Sequence, residues 1–389
     1  MVLFYYGANV VDAYMKRLLT VLSARASYSR VRSVLLALKE NSEIDSHVIL
    51  MASASSLKYG KLEYFLKSDG ITVNWKIESQ ADAALKSSMV RTTAYSMLGI
   101  ADYIVNSDIH GVLVVADRHE TIAGTIASSY LNRTTFHLLG GEVSGNIDNK
   151  VRYANSFLSD YHFVATQKSK SRLEKCGILS EYIFNTGCPS LDFVPKVSEF
   201  PTASIEKLLG GVGLEVSKLF KEKYVVVLQH AETTSQLNPR EQISATIEAI
   251  DRLNIPTLWI WPNSDLGSDE LIREITKARE SGKLKLVHFE RSIEPQIFLS
   301  ILRESECVIG NSSVAIRECS LLGVPAVNIG SRQKDRERAF NIIDTGFDSI
   351  SIYEAIVRQL KHGTYQSSEL YGDGKSGVRI AELIKALLV

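Results

Sequence analysis

The stretch 309–338 carries residue types whose spacing suits the binding of a phosphorylated ligand. A short apolar run ends there in Gly-Asn-Ser-Ser, and about ten residues of helical periodicity follow before a second apolar run. Ser312 and Ser313 would stand at a helix N-terminus, where backbone N–H groups and the helix dipole favour phosphate. Glu318, about one and a half turns along that helix, can reach a ribose hydroxyl pair. Four cations after the second run can neutralise a second phosphate: Arg332, Lys334, Arg336 and Arg338.

The same stretch is also compatible with an ordinary βαβ unit. In that interpretation the serines cap a helix and the four cations form a solvated charge run. Taken alone, the stretch leaves both interpretations open.

Two further carboxylates follow apolar runs in the first half of the chain. Asp117 ends GVLVVAD and Glu142 ends FHLLGGE. If both runs are parallel strands, both carboxylates lie at the edge of the sheet where α/β proteins bind ligands. Neighbouring carboxylates can divide the roles of acid and base. The alternatives are a helix N-cap at Asp117 and a loop carboxylate at Glu142.

Three other strand ends or loops carry candidate residues. His230 ends YVVVLQH, Asn263 and Asp265 follow a strand in WPNSD, and Arg25 ends LLTVLSAR. A single histidine at a strand end is more often structural, WPNSD can be an Asx-capped turn, and Arg25 can be a surface residue.

Length and composition limit the class of protein. The chain has 389 residues, enough for two domains, and 44 basic residues balance 44 acidic ones. This balance argues against a nucleic-acid partner. No apolar run is long enough to span a membrane, and we expect a cytoplasmic protein. The four cysteines, which we expect to be buried or partly buried thiols, form no ligand cluster, so we expect no metal.

Short apolar runs alternate with helical periodicity from Met15 onward, which predicts an α/β protein with parallel sheets. We predict two Rossmann-like domains facing across a cleft, at 15–190 and 191–375. Residues 1–14 are predicted to be an appendage, and 376–389 a helix packing back toward the first domain. The predicted strands are 18–22, 46–51, 111–115, 135–139, 162–165, 182–184, 224–228, 257–261, 284–288, 306–309 and 326–329. The predicted helices before the second domain are 29–39, 81–106, 121–131, 150–158 and 168–175.

Eight motifs occur along the chain in a characteristic order: ADRHE, LGGEVSGNID, GCPSLD, LQHAETT, WPNSDLGS, IGNSSVAIRE, GSRQKDRE and YGDG. In order and spacing the chain resembles the hydrolysing UDP-N-acetylglucosamine 2-epimerases, which supply sialic acid synthesis. The resemblance extends from about Lys16 to the C-terminus and implies a GT-B fold. It implies removal of the C2 proton, expulsion of UDP and hydration of the resulting glycal, without a cofactor. It also suggests a homodimer or homotetramer.

The resemblance assigns roles residue by residue. It implies proton transfer by Asp117, Glu142, Asp148 and His230, the last of which also contacts the nucleotide. The implied substrate and UDP contacts are Arg25, Arg152, His230, Asn263, Asp265, Ser312, Ser313, Glu318 and Arg332.

The chain departs from the family at the segment after Asp148. The family has an acidic pair followed by Arg-His, whereas this chain has Asp148 and Asn149 and then Arg152 and Tyr153. Because an amide cannot exchange protons as a carboxylate does, one expected acid–base group is missing. Three interpretations remain: the usual reaction, a related UDP-sugar such as a diacetamido-dideoxy sugar, or a nucleotide-sugar-binding paralogue. A GT-B glycosyltransferase is a further alternative.

Overall fold

A computed structural model describes residues 15–388, apart from 57–61, 82–86, 144–146, 197–204, 206–207, 233–234, 263–266 and 292. The predicted appendage 1–14 lies outside these residues. The chain divides into two compact units. The first contains the described residues up to Glu142, Ile147–Asp192 and those from Lys375 onward, and the second contains Val143 and the described residues of Phe193–Gly374.

A seven-stranded sheet forms the first unit, with every strand parallel to its neighbours. Its strands are β1 (Lys16–Leu22), β2 (Ile44–Leu50), β3 (Trp75–Lys76), β4 (Gly111–Val115), β5 (Thr134–Leu138), β6 (Tyr161–Val164) and β7 (Ile183–Asn185). The order is β3-β2-β1-β4-β5-β6-β7, which reverses direction between β1 and β4 as in a doubly wound sheet. All five residues of β4 are buried, since helices cover both faces of such a sheet.

Helices follow most of these strands. They are α1 (Arg25–Lys39), α2 (Leu62–Ser68), α3 (Ser88–Asn106), α4 (Ile122–Tyr130), α5 (Ile147–Phe157) and α6 (Gln167–Lys175). A core of β-strand and α3 side chains lies on one face of the sheet and includes Val21, Val112, Ile100 and Ile104.

The C-terminal helix α13 (Ser376–Leu387) packs against α1 within the first unit. Asp192, in the GCPSLD motif, accepts hydrogen bonds from the first two N–H groups of α13, at 2.9 and 2.5 Å. A β-carbon at Gly377 would lie 2.6 Å from the backbone of Ser33, so the close approach of the two helices requires glycine.

A second seven-stranded sheet forms the other unit. Its strands are β8 (Val212–Gly213), β9 (Val225–Leu228), β10 (Thr257–Ile260), β11 (Val287–Glu290), β12 (Cys307–Gly310), β13 (Ala326–Ile329) and β14 (Ile342–Thr345). The order is β14-β13-β12-β9-β10-β11-β8, and only β8 runs antiparallel to its neighbour. Trp259, Phe289 and Ile309 belong to the core of this unit.

The helices of the second unit are α7 (Val216–Leu219), α8 (Pro239–Leu253), α9 (Ser268–Glu280), α10 (Pro295–Glu304), α11 (Glu318–Leu322) and α12 (Ser349–His362). The start of α8 shows how the sequence sets a boundary. Asn238 and Glu241 form a reciprocal capping box, and Pro239 occupies the first helical position. No helix among the described residues is long and apolar enough to cross a membrane.

The predicted α/β class with two Rossmann-like domains is confirmed, and most predicted strands lie within two residues of the observed ones. The strand predicted at 284–288 instead begins at Val287, because Leu284 adopts a left-handed conformation with φ 58°. The helix predicted from Ala81 begins at Ser88. Cys176 is exposed, so the expectation that all four thiols would be buried or partly buried was wrong there.

The helix predicted after Ser313 was also wrong. A short 3-10 turn occupies Ser313–Ala315, and α11 begins only at Glu318. Arg317 precedes α11 and is buried, with its guanidinium carbon 5.9 Å from the centre of the Tyr371 ring. Glu318 therefore stands at the start of a five-residue helix, and not one and a half turns along a longer one.

Candidate functional site

In the first unit, Asp117 lies in the turn directly after β4 and is 7% exposed. Its Oδ2 accepts a hydrogen bond from Arg152 Nη2, and its Oδ1 accepts one from Arg30 Nη1 at 3.3 Å. Because a different guanidinium holds each oxygen, the orientation of the carboxylate is fixed.

Arg152 connects Asp117 to the loop after β5. Its side chain is 2% exposed, and its Nη1 donates to the main-chain oxygen of Glu142 at 2.7 Å. The same nitrogen lies 3.4 Å from Oδ1 of Asn149. The structure thus groups Asp117, Glu142 and Arg152, which sequence reasoning had selected separately.

The Glu142 loop depends on a glycine. Gly141 has φ 71°, and a β-carbon there would lie 2.3 Å from the main-chain oxygen of Ser169. Only glycine fits this position, because both the left-handed backbone and the close contact exclude a side chain. Glu142 itself is 4% exposed.

The turn that presents Asp117 rests on buried polar side chains that sequence reasoning missed. Ala116 has φ 61°, and its main-chain oxygen accepts hydrogen bonds from His137 Nε2 at 2.9 Å and Asn155 Nδ2 at 3.3 Å. Ser156 lies 3.0 Å from the other ring nitrogen of His137. Since Arg152, Asn155 and Ser156 are three and four residues apart, one face of α5 holds both Asp117 and the turn before it. That i, i+3, i+4 pattern of polar residues was the available signal.

A third acidic residue, Glu120, lies three positions after Asp117 and has a lowered pKa. Glu120 is fully buried, forms an ion pair with Arg118 at 2.6 Å, and lies 2.9 Å from Nδ1 of His119. Burial alone would raise its pKa, but the hydrogen bond from His119 and the charge of Arg118 lower the pKa to about 2. Glu120 is therefore a permanently ionised structural group and not a proton donor at neutral pH.

The remaining candidates of the first unit lie near these groups along the chain. Asp148 is half-buried in the first turn of α5. Arg25 is exposed at the first position of α1, with its guanidinium carbon 5.0 Å from the centre of the Phe65 ring. Tyr153, at the position where the family has histidine, packs against Val164, Leu173 and Ile183 and so contributes to a small apolar cluster.

In the second unit, His230 follows β9 and is held through its main chain. Asn311 Oδ1 accepts from His230 N–H at 2.8 Å, and Asn311 Nδ2 donates to the His230 carbonyl at 2.9 Å. Asn311 is fully buried, and the preceding Gly310 has φ 132°, where a β-carbon would lie 2.1 Å from the Leu228 carbonyl oxygen. Asn311 was missed as a site residue, although it stands within the IGNSS motif.

Asn311 also links this loop to the basic segment. Its main-chain oxygen accepts from Arg332 Nη1 at 3.2 Å and from Gln333 Nε2 at 2.8 Å. His230 and Arg332 are thus joined through one asparagine. Ser312 precedes the 3-10 turn, where its Oγ accepts from Val314 N–H at 3.4 Å, and Ser313 is the first residue of that turn.

Glu232, the second missed residue of this loop, fixes the turn at Ser331. Its buried carboxylate accepts from the N–H groups of Ser331 and Arg332 at 2.8 and 3.1 Å, and from the Ser331 hydroxyl.

Arg338 pairs with Asp344 at 3.1 Å and donates to two main-chain oxygens. These contacts give Arg338 a structural role in the second unit, and its contact with a phosphate stays a prediction. Asn263 and Asp265 lie outside the described residues.

Comparison with known proteins relates these motifs to a family. The family model described as UDP-N-acetylglucosamine 2-epimerase matches residues 36–385. A UDP-N,N'-diacetylbacillosamine 2-epimerase (hydrolyzing) from Legionella pneumophila is 31% identical over 375 residues, covering 96% of each chain. A UDP-N-acetylglucosamine 2-epimerase from Neisseria meningitidis is 26% identical and covers 95% of each.

Solved structures support the fold. The UDP-GlcNAc 2-epimerase of Methanocaldococcus jannaschii, determined with UDP-GlcNAc and UDP, superposes with a TM-score of 0.78 at 16% identity. That likeness covers 95% of this chain and 99% of the other. Together with the match over most of the sequence, these findings show that the chain belongs to the UDP-N-acetylglucosamine 2-epimerase family.

Proposed function

We propose that the protein is a hydrolysing 2-epimerase that converts UDP-GlcNAc, or a related UDP-2-acetamido sugar, to UDP and the free C2-inverted sugar. The observation that carries this proposal is the likeness, over 96% of both chains, to a relative whose name specifies the hydrolysing reaction. A second relative named as a hydrolyzing 2-epimerase, from Campylobacter jejuni, is 26% identical over 345 residues.

The proposed reaction has two steps. A base takes the C2 proton while the C1–O bond breaks, so that its electron pair leaves with UDP and a C1–C2 double bond forms. Water then adds its hydroxyl to C1, and a proton returns to C2 on the opposite face. Asp117 and Glu142 are the proposed proton-transfer groups, with Asp148 and His230 assisting.

The arrangement around Arg152 supports the assignment of the first unit to the sugar. A buried guanidinium contacts both the Asp117 carboxylate and the main chain of Glu142, and so holds these two segments of the chain close to each other. Arg25 and Arg152 are the proposed substrate contacts in this unit.

The second unit is the proposed UDP-binding part. Its candidates are His230, Asn263, Asp265, Ser312, Ser313, Glu318 and Arg332. Support comes from the contacts through Asn311 and Glu232, which fix the main chain of the His230 and Ser331 loops.

The second candidate function, a UDP-sugar-binding paralogue, is favoured by Asn149. This amide lies 3.4 Å from Arg152 at the position where the family has an acid–base group. A GT-B glycosyltransferase is the third candidate, and no contact in the described residues favours it.

Product analysis in deuterated water separates these functions. The protein is incubated with UDP-GlcNAc and, separately, with UDP-N,N'-diacetylbacillosamine, and the products are identified by NMR. We expect UDP and a free sugar that is inverted and deuterated at C2. A free sugar with retained C2 and no deuterium would indicate transferase-like hydrolysis, and an inverted sugar still attached to UDP would indicate a non-hydrolysing epimerase.

The paralogue is tested by Asn149→Asp. If the missing carboxylate has abolished turnover, the wild-type protein binds UDP without releasing sugar, and Asn149→Asp gains activity. The proposed function instead predicts turnover by the wild-type protein.

A further inference from the structure

Helix α2 contacts Arg25, a candidate substrate contact at the start of α1. The guanidinium carbon of Arg25 is 5.0 Å from the centre of the Phe65 ring, within the range of a cation–π interaction. Phe65 is half-buried on α2, whereas Arg25 is exposed. Because an exposed arginine can adopt many rotamers, the contact with the ring restricts where its guanidinium lies.

An ion pair fixes the end of α2 to α1. Asp69, directly after α2, accepts hydrogen bonds from Nε and Nη2 of Arg32, both at 2.7 Å, and a third from the Tyr28 hydroxyl. The side chains of Arg32 and Asp69 are 18% and 10% exposed, so salt screens this pair only weakly. Burial alone would raise the pKa of Asp69, but the hydrogen bonds from Arg32 and Tyr28 lower it. The pair is therefore ionised at neutral pH.

The contacts between α1 and α2 lie on one face of each helix. Arg25, Tyr28 and Arg32 follow one another at steps of three and four residues, which places them on one side of α1. Phe65 and Asp69 are four residues apart, and the Asp69 N–H donates to the Phe65 carbonyl at 3.1 Å. They therefore share one side of α2. Since one short helix carries both residues, the contacts of Asp69 also determine where the Phe65 ring lies.

The main chain after α2 adds a further contact with α1. Gly70 has φ 65°, and the Ile71 N–H donates to the Leu66 carbonyl at 2.9 Å, which is a Schellman end. Lys39, the last residue of α1, donates from Nζ to the Asp69 carbonyl at 3.2 Å. A glycine end thus brings both the carboxylate and the carbonyl of Asp69 against α1.

We propose that Phe65 is a positioning residue that holds Arg25 for its contact with the UDP-sugar, and that Asp69 fixes Phe65 to α1. This inference rests on the proposed function at one point, the contact of Arg25 with the substrate. It concerns substrate binding and not the reaction step, because Phe65 and Asp69 contact none of the proposed proton-transfer groups among the contacts that the structure describes.

The affinity for UDP-GlcNAc measures the coupling between Phe65 and Arg25. Calorimetric titrations use the Asp117→Asn background, so that turnover does not consume the ligand. Arg25→Ala should weaken binding about tenfold, as the loss of a charge-assisted contact does. Phe65→Leu keeps the apolar bulk but removes the aromatic face, and should weaken binding about threefold. Added to Arg25→Ala, Phe65→Leu should have no further effect, because a positioning residue acts only through the residue that it positions.

Phe65→Tyr is the matched control. It keeps an aromatic face at the same position, so it should bind UDP-GlcNAc as tightly as the parent Asp117→Asn protein. Additive losses on combining Phe65→Leu with Arg25→Ala, or equal affinities of Phe65→Leu and Phe65→Tyr, would overturn the role of Phe65. Unchanged affinity in Arg25→Ala would overturn it as well. Turnover by the wild-type protein tests the proposed function separately, since these titrations require binding and not catalysis.

Asp69→Asn tests the connection to α1. The amide keeps the size of the side chain but not the charge that pairs with Arg32, so α2 should shift and UDP-GlcNAc should bind about threefold more weakly in the same background. Glu63→Gln is the matched control on α2, because Glu63 pairs at 2.7 Å with Lys76 on β3 and both side chains are nearly half exposed. Its affinity should not change. Equal affinities of Asp69→Asn and Glu63→Gln would overturn the role of Asp69.

Discussion

Asp117 in the first unit and His230 in the second are held by different kinds of contact. In the first unit, side chains of opposite charge hold one another, with Asp117 between Arg30 and Arg152. In the second unit, buried side chains hold the main chain, as Asn311 does at His230 and Glu232 does at Ser331. A substitution in the first unit should therefore change charge and chemistry, whereas one in the second should change loop shape and ligand affinity.

The largest effect is expected at Asp117. Asp117→Asn should lower kcat by about 10²–10⁴-fold, since an amide cannot take part in proton transfer. Asp108→Asn is the control, because Asp108 is exposed, with its carboxylate 3.9 Å from Arg133, and should retain full activity. Steady-state kinetics with coupled UDP detection makes the measurement. A kcat within tenfold of the wild type would remove Asp117 from the proposed chemistry.

Substitution of Gly141 tests whether the stability of the first unit also depends on the conformation of the loop before Glu142. Gly141→Ala should lower the free energy of unfolding by about 3 kcal/mol, because left-handed strain adds to the contact with the Ser169 carbonyl. Gly177→Ala is a matched control with φ 93° and open space around the new methyl group, and should cost only about 1 kcal/mol. Urea unfolding of both variants measures the difference. Equal losses in the free energy of unfolding would mean that the loop before Glu142 moves to accommodate the methyl group.

Asn311 is the corresponding test in the second unit. Asn311→Ala leaves the N–H and carbonyl of His230 without their side-chain partner, so we expect a loss of about 2 kcal/mol in stability. UDP should bind about tenfold more weakly as the His230 loop shifts. Calorimetric titration with UDP provides the measurement, with the exposed Asn185→Ala as control. Unchanged UDP affinity would show that the His230 loop does not contribute to nucleotide binding.

A pH-dependent effect concerns the acid stability of the first unit. Burial lowers the pKa of His137 to about 4 and that of His162 to about 3, and for His162 the nearby His137 lowers it further. Below pH 6.5 the two imidazoles bind protons in the unfolded chain but not yet in the folded protein. The stability that is present above pH 6.5 is therefore lost as the pH falls toward the pKa values of the folded protein. Each histidine contributes a slope of about 1.4 kcal/mol per pH unit.

His162→Leu isolates one of these two contributions. Between pH 6 and 4, the free energy of unfolding should fall less steeply with pH in the variant than in the wild type. The two slopes should differ by up to about 1.4 kcal/mol per pH unit, the value for one proton. Urea unfolding across this range gives the slopes. Identical slopes would show that His162 does not titrate on unfolding.

The fold could be predicted from the sequence because the apolar runs that indicate its strands are local. Strands such as Gly111–Val115 and Ala326–Ile329 are short, uniformly buried apolar runs, and both were predicted with their observed bounds. A continuous helix after Ser313 was predicted because the apolar residues there follow a helical period. In the structure the helix begins only at Glu318, and the preceding Arg317 is buried beside Tyr371. This contact between distant residues is not visible in the periodicity.

The candidate site was predictable only in part. Positions at strand ends, such as Asp117 and His230, follow from the order of strands. Their partners do not, since Asn311 lies 81 residues from His230 and Glu232 lies 99 residues from Ser331. Which buried polar side chain meets which loop is decided by the packing of distant elements, and a single sequence carries no direct record of it.

The proposal that the first unit carries proton transfer and the second binds UDP is tested most directly by the UDP affinity of the Asp117→Asn variant. Calorimetric titration should give a dissociation constant for UDP within about threefold of the wild-type value, although turnover is lost. That result would place the proton-transfer chemistry in the first unit and nucleotide binding elsewhere. A loss of UDP affinity as large as that caused by Asn311→Ala would contradict the account, because both groups would then act on the nucleotide.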